Sequence, residues 1–132
     1  QDLHQCRQLH RQGAAVAEVF SRLSTALDHI NQKINFAFDD VRGYHTTCPT
    51  NLGTAMRASV HIKIPKLSAQ PNFEEVCKEL GLSIRGVHGE HSESSDGIYD
   101  ISNKRRLGIT EREIFEQLYA GVKKLIELES SL

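Results

Sequence analysis

The chain has 132 residues, 39% of them hydrophobic and 25% charged, with a formal net charge of −1. That length suits one domain with one modest core, and that charge gives no global field drawing the chain to nucleic acid or an anionic membrane. No apolar run approaches the roughly 20 residues of a membrane span, and Cys6, Cys48 and Cys77 are too irregularly spaced for a disulfide framework, so a reducing cytosol is the expected compartment.

The stretch Gln1 to Gln12 is polar, holds no signal-peptide core and matches no element well. With no initiator Met, the chain reads as a piece of something longer. From Gly13 onward, Val16, Val19, Phe20, Leu23, Leu27, Ile30 and Ile34 recur every three or four residues, which predicts a helix. Asp39-Asp40 break it, and a strand is expected near Val41–Cys48. Met56, Ala58, Val60, Ile62 and Ile64 alternate with Arg57, Ser59, His61 and Lys63, a half-buried strand that Pro65 should end. A short helix is expected from Asn72 to Leu80, with Gly81 as its left-handed stop. Leu82–Val87 reads as a strand, His88–Gly97 as a polar surface loop and Gly97–Ser102 as the returning strand. Thr110 and Glu113 form a capping box for a last helix with the stripe Ile114, Leu118, Val122, Leu125 and Ile126. Strands joined by short connections pair antiparallel, so the expected class is α+β, an antiparallel sheet with helices packed on one face.

Alternate side chains of a strand share a face, which lines Arg57, Ser59, His61 and Lys63 along about 20 Å. Such a cationic row suits a polyanion such as a triphosphate, or is simply a solvated face. Arg85, followed by Gly86, adds a second arginine on a strand beside backbone that a ligand can approach closely. Cys48, at a strand end beside Thr47 and Thr50, is a candidate reactive thiol, whereas Cys77 on a helix face reads as core. His88, Glu90 and His91 do not make up a full ligand set, so no metal site is expected. Lys104-Arg105-Arg106 reads as a solvated basic run.

Three strings carry a resemblance: Cys48-Pro49-Thr50-Asn51-Leu52-Gly53-Thr54, then Arg57-Ala58-Ser59-Val60-His61, then Pro65-Lys66-Leu67. Arg85-Gly86, Gly89-Glu90-His91 and Gly97-Ile98-Tyr99-Asp100-Ile101-Ser102-Asn103 through Leu107-Gly108 continue it in order. Over roughly Val16 to Glu129 the chain resembles the phosphagen (ATP:guanidino) kinases, and its Gly-Glu-His loop is most similar to arginine kinases and some taurocyamine kinases. The resemblance implies that residues 1–132 are the C-terminal portion of the catalytic domain. They would be completed by an N-terminal part of the same enzyme, which carries the substrate domain and a second acidic residue. It implies reversible phosphoryl transfer from Mg-ATP to a guanidino small molecule, with the Mg held by the nucleotide phosphates. Arg57, His61, Arg85 and the backbone of Ala58, Ser59, Val60, Gly86, Val87, His88 and Gly89 would hold the nucleotide. Cys48, supported by Thr50, and Glu90, on a closing loop, would hold the guanidinium and take part in catalysis. A taurocyamine kinase piece, or a truncated non-catalytic nucleotide-binding or interaction module, stays open as an alternative.

Overall fold

The computed structural model describes residues 16–86 and 97–132, which fall into two compact units. Residues up to Met56, with Arg106–Gly108, form the first unit; Arg57–Arg105 and Ile109–Leu132 form the second.

In the first unit, helix α1 spans Val16–Asn31, and its stripe of Val16, Val19, Leu23, Leu27 and Ile30 is half-buried. The strand expected near Val41–Cys48 is instead a hairpin of two short strands, β1 (Phe38–Asp39) and β2 (Gly43–Tyr44). Local hydrogen bonding explains the difference. The Asp39 carboxylate accepts from the amides of Val41 and Arg42 at 2.9 and 2.7 Å, which bends the chain where an extended strand was expected. Phe36 and Phe38 stack edge-on against Tyr44 and close the hairpin.

In the second unit, β3 (Ser59–Lys63), β4 (Leu82–Gly86) and β5 (Ile98–Asn103) form an antiparallel sheet in the order β3-β5-β4. The fold is α+β. Leu82 and Ile101 are buried on one sheet face, where Phe73 of α3 (Phe73–Glu79) meets Tyr99 edge-on and α4 (Glu111–Ser131) packs close at Gly121 against Leu82. Ile64, Cys77, Ile114, Leu118 and Leu125 complete this core. Gly81 stops α3 with φ +70, and Thr110 and Glu113 form the full capping box of α4. Ile126, expected in the core stripe, is 50% exposed, and Gly121 is buried on the helix face that meets the sheet.

Two local expectations change. Pro65 ends β3 and also opens a four-residue helix, α2 (Pro65–Ser68), because a proline suits the first helical position, where no amide hydrogen is needed. β3 starts only at Ser59. Ala55 takes a left-handed φ of 51, and the amide of Ala58 donates to the Asn103 side chain at 2.8 Å, so the chain enters the sheet through a bend.

Candidate active site

Register builds the polar sheet face. His61 pairs with Asp100 across β3–β5, and Arg85 pairs with Asp100 across β4–β5. Directly paired residues project to the same side, so one row reads His61, Asp100, Arg85. A second row, Ser59, Ser102, Ser83, lies beside it. Arg57 precedes the strand, yet Arg57 Nη2 donates to Asp100 Oδ2 at 2.6 Å. His61 Nε2 stands 3.6 Å from Asp100 Oδ1. Arg57 and His61 thus stand about one carboxylate, and Arg85 is paired with it in the β4–β5 register, while Lys63 lies farther along β3 opposite Ile98. Ser59 and Val60 are exposed on β3, and Ala58 is buried beneath Asn103. Gly86 ends β4. Val87, His88, Gly89 and Glu90, with the loop to 96, lie outside the described residues.

Asn103 is 2% exposed and fully engaged. Its Oδ1 accepts from Ala58, its Nδ2 donates to the Arg105 carbonyl at 2.9 Å, and its own amide donates to the Ala58 carbonyl at 3.3 Å. A buried amide with these bonds made holds the segment that carries Arg57.

The cysteine loop belongs to the first unit. Cys48 precedes a 3-10 turn, Pro49–Asn51, that Pro49 opens. Cys48 Sγ and Thr50 Oγ1 share a hydrogen bond of 2.9 Å, and the Thr46 hydroxyl donates to the Cys48 carbonyl at 2.7 Å. Cys48 is exposed and unbridged. Arg106, expected to be solvated, is half-buried here. Its Nη1 donates to the Thr50 carbonyl at 3.3 Å, and its own carbonyl accepts from Thr54 at 2.9 Å. Gly53, with φ +110, lies so close to that carbonyl that a Cβ would run into it. His45 meets Asp39 at the hairpin base, and this hydrogen bond, followed by that from the Arg42 amide, holds the Asp39 carboxyl below its ordinary range.

Cys77 behaves differently. It is fully buried, and burial, with a smaller contribution from Glu74, pushes its thiol up to about 11. Among the described residues, no three His, Cys, Asp or Glu side chains gather into a set that could hold a metal ion. No helix among them is long and apolar enough to cross a membrane.

Asp100, Asn103 and Arg106 stand within the strings that carry the resemblance, but their roles were not legible there. Each acts through a partner more than forty positions away. The local cue available was a carboxylate in the middle of a β-strand, where polar side chains need partners.

The family model for the ATP:guanido phosphotransferase C-terminal catalytic domain matches residues 5–132. The chain belongs to that family. A probable arginine kinase of Caenorhabditis elegans is 56% identical over 119 residues, which cover 90% of this chain and 33% of that protein. A taurocyamine kinase of Schistosoma mansoni is 49% identical over 122 residues, 92% of this chain and 16% of its own length. Among solved family structures, lombricine kinase superposes with a TM-score of 0.85 at 40% identity, over 92% of this chain and 35% of that one. The substrate-free duplicated taurocyamine kinase from Schistosoma mansoni gives 0.81 at 49% identity, over 91% and 17%. The chain thus spans about a third of the first of these family members.

Proposed function

We propose that this chain is the C-terminal portion of the catalytic domain of an ATP:guanidino phosphotransferase, acting on arginine. The observation that carries the reading is the gathering of Arg57, His61 and Arg85 on one polar sheet face, in a member of this family.

Mg-ATP enters as substrate, with the metal held by its phosphates. Arg57 and Arg85 neutralise phosphate oxygens, and guanidinium forks suit this because they grip two oxygens at once. His61 and the backbone from Ala58 to Val60 hold the nucleotide, joined by the backbone from Gly86 to Gly89. Cys48, as thiolate, faces the planar cation of the acceptor, and the Thr50 hydroxyl steadies the sulfur; the 2.9 Å contact between them supports that pairing. A guanidino nitrogen attacks the γ-phosphorus, the nitrogen–phosphorus bond forms, and the bond to the ADP oxygen breaks. The proton lost by that nitrogen goes to the Glu90 carboxylate. Phosphoryl transfer asks the protein for alignment and charge neutralisation more than for covalent help, and these residues provide both.

Arginine is the proposed acceptor because several relatives are named arginine kinases; the Gly89-Glu90-His91 string is similar to that of arginine kinases and of some taurocyamine kinases alike. Other relatives are a taurocyamine kinase and a lombricine kinase. The test is phosphoryl transfer from Mg-ATP by the full gene product, across arginine, taurocyamine, lombricine and creatine. The reading expects arginine to give the highest kcat/KM. A higher value for another guanidine would replace the acceptor, and transfer to none of them would remove the catalytic reading.

A further inference from the structure

The nucleotide site proposed above has a carboxylate at its centre, and an acid there opposes anion binding. The Asp100 side chain is 13% exposed and so is that of Arg57, which places their 2.6 Å contact largely out of water. The row places His61 on one side of Asp100 and Arg85 on the other. A carboxylate in this position repels phosphate at close range, so its presence needs a compensating gain.

Geometry supplies that gain. Arg57 lies before β3, where no strand pairing holds it, and its side chain is long and flexible. Asp100 Oδ2 takes one Nη2 donor and so fixes the direction of the guanidinium. Among the described residues, Arg57 Nε and Asp100 Oδ1 are buried without a hydrogen-bond partner. A guanidinium has five N–H donors, so one tethered arm leaves others for phosphate oxygens. We propose that Asp100 is a positioning residue: it orients Arg57 for the migrating phosphoryl group and accepts weaker ground-state anion binding in return. This rests on the nucleotide reading of Arg57.

The two effects have opposite signs, which makes the role measurable. Removing the charge raises the local positive potential while releasing Arg57. In the full gene product, Asp100→Asn should bind Mg-ADP as tightly as wild type or severalfold tighter, with kcat lower by about tenfold or more, as expected when a reacting group is misaligned. A residue that only supported the fold would weaken binding and turnover together. Because Asp100 acts through Arg57, adding Asp100→Asn to Arg57→Ala should change kcat by less than about twofold.

Asp100→Asn leaves a buried cation without its counter-charge and can fail to fold. The comparison of Arg57→Ala with the double variant, which removes both charges, then decides alone. Equal kcat in those two supports the proposal, and a further large loss in the double variant overturns it. Weaker Mg-ADP binding with unchanged kcat in Asp100→Asn also overturns it. The nucleotide reading fails separately, if Arg57→Ala leaves Mg-ADP affinity unchanged.

Discussion

Cys48 and Cys77 share a side chain and differ in exposure and surroundings. Cys48 is exposed at the start of a turn with a hydroxyl 2.9 Å from its sulfur. Cys77 is sealed in the core, and its rise from 9.0 to about 11 cuts the thiolate fraction by about a hundredfold. Alkylation mapped by mass spectrometry should therefore label Cys48 well before Cys77. In the full gene product, arginine with Mg-ADP should slow that labelling. Faster labelling of Cys77 would contradict the assignment. This contrast was legible in the sequence, because Cys48 lies among threonines beside Pro49 while Cys77 follows Val76 on a helix. Asp100 was not legible in the same way. Its meaning depends on which residues stand opposite it in two other strands, and register is a property of the folded sheet.

Two elements make sharper tests. The loop from Cys48 to Gly53 rests on Arg106, through the Thr50 carbonyl and the Thr54 amide. Gly53→Ala adds a Cβ against backbone at a φ that side chains avoid, and should cost about 3 kcal/mol in urea unfolding. An unchanged midpoint would mean that the loop yields easily. Helix α4 opens on the reciprocal bonds of Thr110 and Glu113, whose carboxylate accepts from the Thr110 amide at 2.8 Å. Those bonds hold the Glu113 carboxyl below its ordinary value, the backbone bond first. A carboxyl depressed in the folded state stabilises above its unfolded pKa and loses that contribution as pH falls through the folded one. The Tm difference between wild type and Glu113→Gln should thus be present at pH 7 and close as pH falls below 4.5. A difference that persists at pH 2.5 would assign it to packing. Capping is written in four consecutive residues, so it was readable in advance. The β1–β2 hairpin was not, since it turns on an Asp39 side chain bonding its own backbone, and α2, which Pro65 opens, is capped by a carboxylate from distant α4.

For the molecule as a unit, the central expectation concerns what 132 residues can do by themselves. They carry the proposed phosphate-binding arginines, the cysteine loop and one acidic candidate for the guanidinium, where the resemblance implies two. Purified alone, the chain should bind Mg-ADP weakly by calorimetry and show no arginine phosphorylation. Robust turnover by these residues alone would show that the machinery is smaller than proposed. The α+β class was expected from short connections between strands, which accounts for the pairing of β4 with β5, whereas β3 joins β5 from far upstream in the chain. Leu82 and Ile101 are buried on the sheet face against which the helices pack.

Glu129 has a consequence for how this chain can be handled. Near the end of α4, its two carboxylate oxygens accept from the amides of Lys66 and Leu67, at 3.1 and 2.7 Å. One side chain thereby stitches the tail of the polypeptide to a turn more than sixty positions upstream. Trimming Ser130, Ser131 and Leu132 leaves that stitch in place. Trimming one residue more strips the anion from the mouth of α2 and leaves two amide hydrogens to water, so tolerance of a ragged tail ends between Glu129 and Ser130.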